Sequence, residues 1–169
     1  MADELPEPLD FDAAFRRYAP YVGAIALKIL GRDSEVDDVV QDVFLEAHRG
    51  ISSLREPESL KPWLARIAVR RAQRRLQRHW LRRVFRLAQP ADYESLADLA
   101  ATPEQRCQVA SAYRLLDHMP PKNRVVWVLR QVEGESLERI SELCNCSLST
   151  VQRRLRAARD FMEQAESHG

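Results

Sequence analysis

Between Lys61 and Arg86 the chain carries ten basic side chains and no acid, and no other stretch restricts its possible folds more. The segment opens as an amphipathic helix from about Ser59, with Leu60, Trp63, Leu64, Ile67 and Ala68 on one stripe. Past Ala72 the stripe fails. Arg70, Arg71, Arg74, Arg75, Arg78, Arg82, Arg83 and Arg86 go nearly all the way round the helix axis. An unpaired guanidinium is too costly to bury, so this end must project into solvent or lie against an anionic surface. Trp63, His79, Trp80 and Phe85 lie among the arginines, and a basic surface interleaved with aromatics suits a nucleic-acid strand whose bases can stack.

The whole-chain charge hides this segment: 26 Lys and Arg against 25 Asp and Glu leave a net charge of +1. Residues 1–60 instead carry 13 acids and 6 bases, and residues 87–118 carry 5 acids and 2 bases. With 169 residues, 45% of them apolar, the chain can bury one core or two small ones. Five Gly, few alternating β-branched runs and abundant Leu, Ala, Arg, Glu and Gln predict an all-α protein. No apolar stretch approaches the ~18 to 20 residues that span a bilayer, so no membrane insertion is expected. The acidic opening MADELPEPLD is unlike a signal peptide, and three Cys give no disulfide framework; both predict a cytoplasmic protein.

Helix signals divide the chain. A first pattern runs from Asp10 as N-cap through Phe11, Phe15, Tyr18, Val22, Ile25 and Ile29 to Gly31, with Pro20 expected to kink or split it. A second starts at Ser34 as N-cap, with Asp37 as a weak capping-box partner, and keeps Val36, Val39, Val40, Val43, Phe44 and Ala47 on one face as far as Gly50. A loop containing Ser52, Ser53 and Pro57 leads to the arginine helix. Residues 87–102 contain Pro90 and several acids without a period, which reads as a flexible linker. Thr102, Pro103 and Gln105 then spell a capped helix start, reaching about His118. Pro120 and Pro121 open another helix, with Gly134 as its stop. The expected domains are 1–86 and 103–169.

Within the second domain Ser136 caps a short helix, Leu137 to Cys144, and a turn at Asn145 to Ser147 separates it from a longer one, Ser149 to Gln164. That is helix-turn-helix spacing. Val151, Leu155, Ala158 and Met162 share one arc of the second helix, and Ser149, Gln152, Arg153, Arg156 and Asp160 share the opposite one. Arg and Gln near the start of such a helix can pair with guanine and adenine edges in the major groove, while neighbouring Arg hold phosphates. A merely solvated basic face remains the alternative on this pattern alone.

Taken together, DDVVQDVFLEAHRG at 37–50 and LKPWLARIAVRRAQRRLQR at 60–78 resemble region 2 of the extracytoplasmic-function sigma factors of bacterial RNA polymerase. LLDHMPPKNRVVWVLRQVEGESLERISELCNCSLSTVQRRLRAAR at 115–159 is similar to their region 4. The resemblance implies a dissociable promoter-recognition subunit with a region 2 three-helix bundle and a region 4 helix-turn-helix. It implies that Asp38, Gln41, Asp42 and Phe44 dock on the clamp helices of core RNA polymerase, where an acidic, amide-bearing face suits a basic coiled coil. It implies that Trp63, Arg66, Arg70, Arg71, Arg74, Arg75 and Arg78, with the loop Ile51 to Pro57, engage the melted minus-ten element. Ser149, Thr150, Gln152, Arg153 and Arg156 would read the double-stranded minus-thirty-five element, with region 4 also leaning on the polymerase flap. An anti-sigma factor is a further expected partner. Arg70 and Arg74 stand where many members have Asn and Asp, Ser149 where Gly is usual, and Gln152 where a basic residue is common, which leaves the promoter sequence open.

Cys144 and Cys146 form a C-x-C without a second pair, so no metal site is expected; no cofactor motif and no catalytic constellation is present. The protein is therefore expected not to be an enzyme. Two rival readings stay open: a stand-alone helix-turn-helix regulator, and a sigma mimic that captures an anti-sigma factor.

Overall fold

The computed structural model describes residues 11–50, 59–85, 93 and 102–167; seven α helices carry most of them, and no strand occurs among them. Helix α1 (Phe11–Leu30) passes through Pro20 without interruption, so the expected split does not occur. The proline removes one backbone bond at a cost of ~3 kcal/mol. The burial of Val22, Ile25, Ala26, Ile29 and Leu30 outweighs it, at about 1.5–3 kcal/mol for each large side chain. Gly31 ends the helix at φ +74°, donating its N–H to the Leu27 carbonyl at 2.7 Å. The N-cap expected at Asp10 lies outside the described residues.

The next start differs from expectation. Residues Asp33–Glu35 form one 3-10 turn, which places Ser34 inside the turn rather than at a cap, and α2 (Val36–Gly50) begins after it. Its inner face is the predicted one: Val39, Val43, Phe44 and Ala47 are buried. Helix α3 (Leu60–Val84) is continuous for 25 residues, or ~37 Å of rise. Leu76, one turn past the point where the stripe thins, is still buried, which keeps α3 against α1 and α2.

The second half starts as spelled. Thr102 Oγ1 accepts from the Gln105 backbone at 3.3 Å while the Gln105 side chain accepts from the Thr102 backbone at 2.8 Å, opening α4 (Pro103–Leu116). Helix α5 (Pro121–Gln131) follows with Pro121 at its first position. In α6 (Leu137–Cys144) Ser136 Oγ accepts from the Arg139 backbone at 3.1 Å. Asn145 then turns the chain at φ +47°, a left-handed position that Asn tolerates well. Helix α7 (Leu148–Ser167) begins one residue before the expected Ser149, with Ser147 Oγ accepting from the Thr150 backbone at 3.3 Å.

The two halves pack on each other, α1 and α3 against α5, and α3 against α6. Burial is continuous between them. Arg124 of α5 is only 2% exposed; its Nη2 donates to the Leu30 carbonyl at 2.6 Å and its Nε to the Ile29 carbonyl at 3.2 Å. Tyr113 of α4 donates its hydroxyl to the Lys28 carbonyl at 2.7 Å. These are the carbonyls that a helix C-terminus leaves without intrahelical partners, at the negative end of its dipole. One half of the molecule thus caps a helix of the other. Of the linker expected at 87–102, only Tyr93 and Thr102, the latter already the cap of α4, lie among the described residues. Tyr93 itself is buried, stacked on Tyr113 with ring centroids 5.8 Å apart.

Candidate nucleic-acid interface

Helix α7 owes its orientation to its inner arc: Val151 and Ala158 are fully buried, and Leu155 and Met162 pack against the core. At 100° per residue that leaves Ser149, Gln152, Arg153 and Arg156 exposed on the outer arc, where a groove could be read. Thr150 is half-buried, its hydroxyl 2.9 Å from Ser147 Oγ, so it shapes the turn more than it reaches outward. Gln152, Arg153 and Arg156 make no ion pair among the described residues. Arg153 also borders a cleft of about 400 Å³ whose opposite wall is Gln77 and Trp80 of α3.

The arginines expected to bind DNA from α3 fall into two sets. Arg66, Arg74 and Arg78 are exposed and have no carboxylate partner among the described residues. Arg70, Arg71 and Arg75 are held by α2: Arg70 and Arg71 share the Glu46 carboxylate, and Arg75 lies 3.2 Å from Asp38 and 3.3 Å from Asp42. Of the two expected settings, solvent or an anionic surface, three of these arginines take the second, and the anions are the chain's own. Burial alone would raise the Glu46 carboxyl, but Arg71 and Arg70 hold it below its ordinary value; Asp42 and Asp38 hold Arg75 above its own despite partial burial. Trp63 is half-buried under Gly50, where an added Cβ would meet its ring at 3.0 Å. It also borders, with Arg66 and Arg70, a second cleft of about 460 Å³ closed by Leu143, Cys144 and Asn145 of α6.

On α2, Asp38, Gln41 and Asp42 share an outer ridge as expected, Asp38 being 62% exposed. Phe44 does not belong to it. Its ring is 3% exposed and meets Phe15 and Phe11 edge-on, because position 44 falls on the apolar stripe with Val39, Val43 and Ala47. The exposed apolar member of the ridge is Leu45, 59% exposed and one helical turn beyond Gln41 and Asp42. Its signal in the sequence is a Leu on the charged side of the wheel.

Arg124 and Asp117, which join the halves, also went unread. Arg124 falls on the inner arc of α5 with Pro121, Val125 and Val128, so an Arg at an apolar register position was the available sign. Asp117 meets Arg124 at 2.7 Å and Arg83 at 2.6 Å. Burial would raise its carboxyl, yet the Tyr93 hydroxyl and the two guanidinium groups hold it below its ordinary value. Burial pushes the Cys144 thiol up to about 12, which keeps it protonated and unreactive at neutral pH.

Comparison with known proteins follows the same division. The family described as Sigma-70 region 2 matches residues 14–88, and the family described as Sigma-70, region 4 matches residues 110–162. The ECF RNA polymerase sigma-E factor of Haemophilus influenzae is 30% identical over 169 aligned residues, which cover 90% of this chain and 85% of that protein. The ECF RNA polymerase sigma factor SigM of Mycobacterium tuberculosis is 31% identical over 153 residues, covering 88% of this chain and 73% of that protein. Among solved structures, the sigma factor RpoE in complex with the anti-sigma factor NepR from Bartonella quintana superimposes with a TM-score of 0.63 at 21% identity, covering 92% of this chain and 95% of that one. CnrH in complex with the cytosolic domain of CnrY gives 0.60, also at 21% identity, covering 94% and 88%. At that identity the likeness is one of fold.

Proposed function

Because the chain belongs to the extracytoplasmic-function sigma factors of bacterial RNA polymerase, we propose that it binds core polymerase and directs promoter-specific transcription initiation. The observation that carries this reading is the presence in one chain of two unlike surfaces: the outer ridge of α2, with Asp38, Gln41 and Asp42, and the outer arc of α7, with Gln152, Arg153 and Arg156. An acidic ridge suits a basic coiled coil such as a polymerase clamp, and an outward Gln and Arg pair suits base edges. Leu45 adds an apolar anchor to the ridge; desolvated apolar anchors commonly dominate such contacts. Arg66, Arg74 and Arg78 offer phosphate contacts beside the minus-ten element, and α7 reads the minus-thirty-five element while its domain leans on the flap. The domain division 1–86 and 103–169 matches this division of labour.

The chain performs no chemistry of its own on this reading; nucleotide addition belongs to the polymerase core. It acts in the cytoplasm, where promoter DNA is; no described helix is long and apolar enough to cross a membrane. An anti-sigma factor is a fitting regulator, since both solved neighbours are bound to other proteins, one of them named an anti-sigma factor. Run-off transcription with purified core polymerase on a promoter library tests the proposal. Specific initiation dependent on this chain is the expected result. Capture of an anti-sigma factor without initiation on any promoter would mark a mimic instead, and dimeric operator binding without core a stand-alone regulator.

A further inference from the structure

Half of the arginines that α3 was expected to offer to DNA are committed to carboxylates of α2. Arg71 places Nη2 and Nε 2.6 and 3.0 Å from Glu46 Oε2, and Arg70 takes the other oxygen of the same carboxylate. Arg75 places Nη1 3.2 Å from Asp38 and 3.6 Å from Glu35, and Nη2 3.3 Å from Asp42. His79 Nε2 lies 2.6 Å from Glu35 and ends the row. The order is that of two antiparallel helices: positions 46, 42 and 38 of α2, then 35 in the 3-10 turn before it, descend as 70, 71, 75 and 79 ascend along α3. The acids recur every three or four residues and Arg71, Arg75 and His79 every four, with Arg70 beside Arg71, so the seam runs for about three turns.

Asp38 and Asp42 thus belong both to this seam and to the ridge assigned to polymerase. We infer that the seam is a mutual mask: the α2 ridge occupies Arg70, Arg71 and Arg75, and a basic partner docking on the ridge releases them to DNA phosphates. The inference rests on the reading of α2 as the docking ridge and α3 as a DNA surface. Two features suit a mask. The carboxylates can be reached from outside, Asp38 being 62%, Asp42 38% and Glu46 31% exposed over an Arg75 that is itself 16% exposed, and ion pairs at such a surface are weak enough to exchange for equivalent external contacts. A phosphate arriving without a partner on α2 meets four carboxylates beside three arginines, which repel it and compete with it. By linkage the effect is reciprocal: DNA that takes the arginines strengthens the ridge for a basic partner.

The test uses the full chain without polymerase, with an oligothymidylate strand as probe and a salt series. The variant D38N/D42N/E46Q opens the seam, and D37N/E104Q/E163Q, with the same charge change at positions outside the seam, is its control. The seam variant should bind ~10-fold more tightly than the control and with a salt slope steeper by about two, at ~0.7 per phosphate contact on single strands for three released arginines. Arg75→Gln should then cost about one contact of slope in the seam variant and almost none in the wild-type chain. Equal affinity and slope for seam variant and control, or an Arg75→Gln effect of the same size in both backgrounds, would overturn the inference. Should the triple variant fail to fold, E46Q against E104Q asks the same of Arg70 and Arg71, with a slope difference of about one to two expected and none refuting. Run-off transcription by the wild-type chain with core polymerase separates the two levels. Initiation together with equal seam and control binding defeats the mask alone, whereas absence of initiation on all promoters defeats the functional reading beneath it.

Discussion

Arg124 and Asp117 meet at 2.7 Å in a site where their side chains are 2% and 9% exposed, and through this pair α5 reaches the C-terminus of α1. Arg124→Met should destabilise the protein by about 3 kcal/mol, because it leaves the Asp117 carboxylate short of a partner and the Ile29 and Leu30 carbonyls unsatisfied in a buried place. Urea unfolding measures the loss, and Arg124→Lys should recover less than half, since an ammonium cannot reproduce the two-sided fork. A change under 1 kcal/mol for the methionine variant would mean that water serves these groups equally well.

Gly31 occupies a position where no side chain fits. At φ +74° a Cβ is already unfavourable, and it would lie 2.2 Å from Cδ1 of the Tyr113 ring. Gly31→Ala should therefore drive the halves apart or cost more than ~1 kcal/mol. Small-angle scattering should show an increased radius of gyration. Adding Tyr113→Leu should relieve the clash and recover part of the compactness, but not the backbone cost.

The packed arrangement is too small to use a promoter as it stands. A compact chain of this length is ~40 Å across by the scaling of radius of gyration with length. The minus-ten and minus-thirty-five elements are about 25 base pairs apart, or ~85 Å at ~3.4 Å per pair. Fluorescent labels on α2 and α7 should therefore move from close range to beyond efficient energy transfer when core polymerase is added. Unchanged transfer in a transcribing complex would contradict the assignment of the two reading surfaces.

Acid should loosen the contact between the halves. The Asp117 carboxyl is lowered in the folded protein from an ordinary value of 3.8, so its contribution is fully present above that value and is lost as pH falls through the lower folded one. Glu35 and Glu46 behave alike from 4.5, Glu35 chiefly through its hydrogen bond with His79. Urea midpoints should be flat from neutral pH to about 5 and fall steeply below 4. Asp117→Asn should flatten the steep part; an unaltered acid limb in that variant would remove Asp117 as its source.

The two basic surfaces should answer differently to loss of charge. Arg153→Ala or Arg156→Ala should lower upstream affinity by about 1–3 kcal/mol and unequally across promoter sequences. Arg74→Ala and Arg78→Ala should weaken downstream binding almost uniformly, each reducing the salt slope by roughly one phosphate contact. Binding and permanganate reactivity on paired promoter variants read both effects. Equal losses on all upstream sequences would make α7 an anchor rather than a reader.

Local signals were sufficient wherever a helix is specified by its own residues. The Thr102–Gln105 capping box, Pro121 at a helix start, Ser136 as a cap and the apolar stripes of α2 and α7 all stand in the structure as spelled, because each depends on contacts within a turn or two. The outward positions of Gln152, Arg153 and Arg156 followed from the same periodicity. The expectation of a kink or split at Pro20 met a tertiary effect: α1 runs on from Phe11 to Leu30, and the burial of Val22, Ile25 and Ile29 against neighbouring helices offsets the lost backbone bond. The burial of Phe44 was within reach of the wheel.

The sequence by itself determined that the fold is all-α, that it carries a helix-turn-helix, and that its arginine segment must face solvent or an anion. It could not determine which anion. That Glu46 serves Arg70 and Arg71, that Asp38 and Asp42 serve Arg75, and that Arg124 caps a helix ninety-four residues earlier are facts of distance across the fold. Ion pairs and caps between remote segments leave no period in a sequence, because their geometry exists only once the apolar stripes have set the helices side by side.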